Sequence, residues 1–216
     1  MTSDRGFAPN PYAGILTLAT CKPYIRKRCA VEGQWLAGFA SKSLCPDAGD
    51  EARLIYLARI SGSVPMEKYW DAYPAKRNCP SPDNIYRKQN GRWILVDDSI
   101  HAKENKDADL SGEKVIISND YYYFGQKALP IREKLRSKVK IPVGAASYGW
   151  LTTGADADAF IEWVKDEAQK MPRINNQPHI FGEPHGQVRQ SKSTKPTISC
   201  SHQDPRRSGK VVQKIQ

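Results

Sequence analysis

Residues 10–42 read NPYAGILTLATCKPYIRKRCAVEGQWLAGFASK, and the fold depends on how this stretch divides. Asn10-Pro11 opens it as a turn, because proline presets its own φ and steers the preceding residue away from helix. Ile15-Leu16-Thr17-Leu18-Ala19-Thr20 is apolar and partly β-branched, the composition of a buried strand. Glu32-Gly33-Gln34 turns the chain into a second strand, Trp35 to Ala40. The first strand delivers Cys21-Lys22-Pro23 at its end, with Arg26, Lys27 and Arg28 close behind, and the second delivers Ser41-Lys42. Neighbouring strand ends therefore carry a thiol, a hydroxyl and several cations. Such positions are where a rigid scaffold presents chemistry.

Outward from this stretch, Arg53 to Ile60 is a third strand. It is apolar on both faces, which places it centrally in a sheet. Pro65 opens a short helix, Met66 to Asp71, with proline in the first turn where it is tolerated. Residues 72–83 form a Pro-rich loop with Lys76 and Arg77. Asn84–Arg87 and Arg92–Val96 flank Asn90-Gly91, a strong hairpin signal. Asp97 to Glu113 is charged and reads as a loop with His101 near its start. Lys114–Ser118 is a strand leading into Tyr121-Tyr122-Tyr123-Phe124. A helix from Pro130 to Lys138, a small-residue bend at Gly144 to Gly149, and a helix from Asp156 to Met171 follow. Phe160, Trp163 and Val164 give the last helix an apolar face. The fold class expected is α+β, a small twisted sheet or partly closed β-barrel with a few flanking helices and all strands in one sheet system.

The domain is expected to cover residues 1–183. Residues 184–216 hold Arg189, Lys192, Lys195, Arg206, Arg207, Lys210 and Lys214 against Asp204, which is +6 of the chain's +10. That tail has too few large apolar residues to offset its ordering entropy, so disorder is expected there, with nucleic-acid affinity that ignores sequence.

The 216-residue chain is 39% hydrophobic, enough for a core. A net charge of +10 calls for an acidic partner such as nucleic acid or a nucleotide. No apolar run reaches the roughly 18 residues of a membrane span, so no membrane role is expected. The N-terminal MTSDRGFAPN lacks a secretion pattern. Five cysteines, an odd number with no C-x-x-C pair, read as reduced thiols of a cytoplasmic protein and not as a zinc site. No phosphate-loop, dinucleotide or iron-ligand motif appears, so no metal is expected and the cofactor stays unknown.

The catalytic candidates are Cys21, a thiol among cations at a strand end, and His101, a potential acid or base. The substrate- and phosphate-binding candidates are Lys22, Arg26, Ser41, Lys42, Asn84, Tyr86 and Tyr122. Arg26 suits phosphate because its fork matches the oxygens. Tyr86 and the Tyr121–Phe124 run offer rings for stacking, although most should be core. Cys21, Lys22, Arg26, Ser41, Lys42, Tyr86 and His101 are expected to converge in one cleft, with Ser41 and Lys42 the weaker half because consecutive antiparallel strands end at opposite edges.

The motifs FAPNPYAGILTLATCKPYIRK, GQWLAGFASK, RLIYLARI, MEKYW, DNIYRKQNGRW and KVIISNDYYYFG, in that order between Phe7 and Gly125, resemble the nucleotide modification associated domain proteins, the second or third class of that name. Cys21-Lys22-Pro23-x-x-Arg26, and Asp83-Asn84-Ile85-Tyr86 with Trp93, are the most specific parts. The resemblance implies a bacterial or phage system that modifies nucleic-acid bases. Where the family pattern tends to Gly-Asp-Trp, this chain has Gly33-Gln34-Trp35, so no acid acts at position 34. Three readings follow: an enzyme acting on a base held in a cleft by phosphate-binding cations, a non-catalytic barrel that binds modified bases in nucleic acid, and a basic surface that docks an acidic protein.

Overall fold

The computed structural model describes residues 1, 3–41, 44–46, 52–96, 101–139, 141, 154–171 and 178. The strands are β1 Leu16–Leu18, β2 Trp35–Phe39, β3 Arg53–Arg59, β4 Gly62–Pro65, β5 Tyr86–Gln89, β6 Arg92–Leu95, β7 Lys114–Ser118, β8 Asp120–Tyr123 and β9 Leu129–Pro130. The helices are α1 Pro23–Arg28, α2 Met66–Ala72, α3 Lys106–Leu110, α4 Glu133–Val139 and α5 Ala155–Gln169. The fold is α+β, with antiparallel sheets and no closed barrel among the described residues.

The strands do not lie in one sheet system. They divide into β1-β7-β4, β2-β3-β8 with β9 also on β3, and the separate hairpin β5-β6. The first two sheets share a bent ribbon. β3 runs into β4 across Ile60 and Ser61, and β7 runs into β8 across Asn119. Ser61 N–H donates to Ile117 O at 2.9 Å, and Asn119 N–H donates to Ser61 Oγ at 2.9 Å. Both strands therefore change sheet at the same level, where alternation alone gives no warning.

As its apolar faces require, β3 is central. Leu54 and Leu57 pack against Phe160 and Val164 of α5, while Ile55, Tyr56 and Ala58 pack with Leu16 and Tyr123. Gly38 on β2 lets the Tyr56 ring lie across it, since a Cβ there would sit 1.9 Å from a ring carbon. A third core group, Phe7, Ala19, Met66, Tyr69, Ile85, Tyr86, Val115 and Ile117, joins α2, β7 and the hairpin.

A polar cluster ties residues 10–15 to residues 76–84. Lys76 is buried and its Nζ donates to Asn10 O (3.1 Å), Asn10 Oδ1 (3.1 Å), Tyr12 O (2.6 Å) and Ile15 O (2.7 Å). Asp83, also buried, accepts from Thr17 Oγ1 at 2.6 Å and from Tyr69 OH at 2.9 Å. Burial pushes the Asp83 carboxyl up to about 6, against the opposing pull of Lys76 and the two hydroxyls. Burial likewise lowers Lys76 to about 8, opposed by Asp83.

This cluster makes a signed prediction. With a raised value in the folded state, Asp83 keeps a proton that the unfolded chain has already released. Its contribution is complete below the ordinary carboxyl value and is lost as pH rises through about 6. The thermal midpoint of Asp83→Asn is therefore expected to be lower than wild type overall but to fall less steeply between about pH 4 and about pH 7. Parallel midpoint-versus-pH curves for the two chains would mean that Asp83 does not titrate in this window.

Candidate active site around Cys21

The strand β1 ends at a tight turn into α1. Cys21 has φ +54° and Lys22 φ +45°, left-handed values that a side chain rarely adopts and that cost on the order of 1 kcal/mol or more each. Pro23 then occupies the first turn of α1. The turn is held from outside. Cys21 N–H donates to Asp109 Oδ1 at 2.6 Å, and Cys21 O accepts from Arg26 Nε at 3.1 Å. Both backbone groups of the strained residue are thus engaged, and its side chain is left half-exposed.

Asp109 is the hub. It is buried in α3, and its Oδ2 accepts from Tyr86 OH at 3.0 Å and lies 2.9 Å from His101 Nε2. One thiol sulfur, one imidazole nitrogen and one carboxylate oxygen from Cys21, His101 and Asp109 lie within 4.8 Å of one another. The His101 ring is also 5.1 Å from that of Phe7. Burial, the largest influence on His101, would lower its pKa, but the hydrogen bond and charge of Asp109, with Cys21, carry it above the ordinary value. Burial and then Asp109 push the Tyr86 phenol up, so it stays a proton donor.

Several expected site residues do other work. Arg26 is fully buried, with Nη1 donating to Ala19 O (2.5 Å) and Lys114 O (3.1 Å) and Nη2 to Asp109 O. Its guanidinium is engaged by backbone carbonyls and builds the turn. Asn84, 2% exposed, donates from Nδ2 to Tyr69 O (3.0 Å), Trp70 O (3.3 Å) and Tyr73 O (3.0 Å), capping the end of α2 instead of reading a base. Tyr122 stands opposite Leu57 and packs with the α5 core group, so it does not join Cys21. Ser41 follows β2, in a different sheet from β1, and its N–H donates to Met1 O at 2.9 Å. Cys21, Arg26, Tyr86 and His101 lie together around Asp109, the last three buried, and Lys22 beside Cys21 donates from Nζ to Ala8 O at 3.3 Å; Ser41 is not among them. Lys42, the Gly144–Gly149 bend and the 184–216 tail lie outside the described residues.

The buried member of the cluster that the sequence reading missed is Asp109. It sits in a stretch, KENKDADLSGEK, where Asp107, Asp109 and Glu113 look alike. Only the fold selects one of them by burying it against three partners.

A family model described as nucleotide modification associated domain 2 matches residues 1–184. The chain belongs to that family. No curated protein and no solved structure matches it. The match settles the class as the second and covers every residue of the Cys21 cluster. For this member of the nucleotide modification associated domain 2 family, the close Cys21–His101–Asp109 set can do one of two things. It can activate a thiol, or it can hold a metal ion through sulfur, nitrogen and oxygen. Both oxygens of Asp109 already accept from the protein, which favours the hydrogen-bonded arrangement.

Thiol activation has a direct consequence. Among the described cysteines, Cys21 is expected to be the first alkylated by iodoacetamide, ahead of Cys29, whose thiol is pushed up by burial. His101→Ala is expected to slow labelling of Cys21 and to leave Cys29 unchanged. Peptide mapping after brief labelling reads both, and equal rates at the two positions would remove the case for activation.

Proposed function

We propose that the chain is a thiol-dependent enzyme that modifies a base in a nucleotide or nucleic acid. The observation that carries this reading is Cys21, held at a strained turn with His101 and Asp109 beside its sulfur. In this reading His101 accepts the thiol proton, and Asp109 orients the imidazole and steadies the cation that forms. The thiolate pair makes a sulfur–carbon bond to an electron-poor ring carbon, such as C6 of a pyrimidine. The displaced π pair moves onto the ring's carbonyl oxygen, and the neighbouring ring carbon attacks an electrophilic group donor, whose leaving group departs with the bonding pair. A base then takes the proton of that carbon, and the freed C–H pair re-forms the ring double bond and expels the thiolate. Tyr86, a retained proton donor on Asp109, keeps that carboxylate oriented. Half-exposed Lys22 and exposed Arg28 stand in for Arg26 as phosphate contacts, while Lys27 pairs with Glu113.

The test is the nucleoside content of cells with and without the chain. A new nucleoside mass in the expressing cells supports an enzyme. Unchanged masses, together with tighter binding of the purified chain to a modified oligonucleotide than to its plain counterpart, would favour a reader of modified bases. One zinc per chain in purified protein would recast the three residues as ligands.

A further inference from the structure

The surface beside this site has its own composition. On α2 and the one-turn helix Pro74–Arg77, half-buried Trp70 carries the Arg77 guanidinium 4.4 Å above its ring, with Arg87 from β5 at 5.9 Å. On the hairpin, Lys88 Nζ lies 5.8 Å from the centre of half-buried Trp93. Lys68, Arg87, Lys88 and Arg92 are exposed on these elements, with Arg87 and Arg92 alternating with Lys88 and Trp93 across the hairpin. The acids on α2 are Glu67, 3.2 Å from Lys88 Nζ, and Asp71. The hairpin is tied to the Cys21 site through its first strand. Tyr86, its first residue, bonds Asp109, and His101 lies on the chain that leaves its second strand.

We propose that α2, the Pro74–Arg77 turn and the β5-β6 hairpin bind a single-stranded polynucleotide, so that the base presented to Cys21 belongs to a strand and not to a free nucleotide. Cations over indole faces mark the places where a base can stack in exchange for, or alongside, a guanidinium or ammonium. The exposed Arg and Lys side chains neutralise the phosphates between them. In a duplex the bases are already stacked and cannot reach the two rings, so the single strand is preferred. This inference rests on the reading of Cys21 as the reaction site only for its second clause.

Fluorescence anisotropy with the full chain tests it. The probes are labelled oligothymidine, oligouridine, a duplex of equal length, and thymidine monophosphate as competitor. Both single strands are expected to bind more tightly than the duplex, and the monophosphate is expected not to compete. Arg87→Ala/Lys88→Ala is expected to lower affinity and to flatten the salt slope by about 1.4, two contacts at about 0.7 each. Trp70→Ala is expected to weaken binding by roughly tenfold, and the exposed Arg92→Glu, which leaves the core untouched, is expected to weaken it as well. Wild-type affinity in all these variants, duplex binding as tight as single-strand binding, or equal competition by polyglutamate would overturn the proposal. Strand binding that persists in a Cys21→Ser chain separates the two readings. Unchanged affinity in the surface variants refutes this inference alone, and unchanged nucleoside masses with intact binding refute the thiol reading alone.

Discussion

A Cys21→Ser chain is expected to fold like wild type and to leave nucleosides unmodified, with at least about a thousandfold lower turnover. The substitution exchanges one atom. The left-handed turn, the Cys21 N–H bond to Asp109 and the Arg26 bond to Cys21 O all involve backbone, so they survive it. What disappears is the thiol, the proposed nucleophile, which a hydroxyl beside the same imidazole replaces poorly. His101→Ala is expected to cost less, on the order of a hundredfold or more, as general-base removal usually does. Nucleoside mass spectrometry and the thermal midpoint are read on the same preparations. Full modification by Cys21→Ser with an unchanged midpoint would end covalent catalysis by this residue. Release of bound zinc in that variant would move Cys21 from nucleophile to ligand.

Arg26→Met is expected to be the most damaging single change to the fold. The methionine fills similar space but leaves the carbonyls of Ala19, Cys21, Asp109 and Lys114 without the guanidinium that now bonds them. Removing one side of a buried charged hydrogen-bond set costs about 3–5 kcal/mol, which in a chain of this size lowers the thermal midpoint by roughly 10 °C. Arg26→Lys is expected to recover little, since one ammonium cannot span the acceptors of a planar fork. Gly112→Ala is a milder version of the same injury. A Cβ there would lie 2.4 Å from the Arg26 guanidinium carbon, so the side chain must shift. Near-wild-type midpoints for Arg26→Met would show that the turn holds without it, and the Arg26 cluster would return to being a candidate for phosphate.

Local pattern was enough for several of the elements. The apolar runs mark β1, β2, β3 and β7, Asn90-Gly91 marks the β5-β6 hairpin, and the Phe160–Trp163–Val164 spacing marks α5. These signals are local because backbone periodicity and turn chemistry act within a few residues. Short elements escaped. α1 hides in the basic run Pro23–Arg28, and α3 lies inside a stretch read as a charged loop. One or two helical turns carry too little periodic signal to stand out from charge.

Composition and motif order, by themselves, determined the α+β class, the family, and Cys21 with His101 as the pair to watch. Tertiary structure decided the rest. It assigned Arg26 to the carbonyls, Asn84 to the end of α2 and Tyr122 to the α5 core, and it put Ser41 just beyond β2, which lies in a different sheet from β1. It chose Asp109 from among similar acids. The physical reason is that a polar side chain's role is set by the partners enclosing it. Asp109 meets Cys21, Tyr86 and His101 because β1 pairs with β7, which α3 leads into, so the end of β1 lies beside α3, a long-range event that no local pattern encodes.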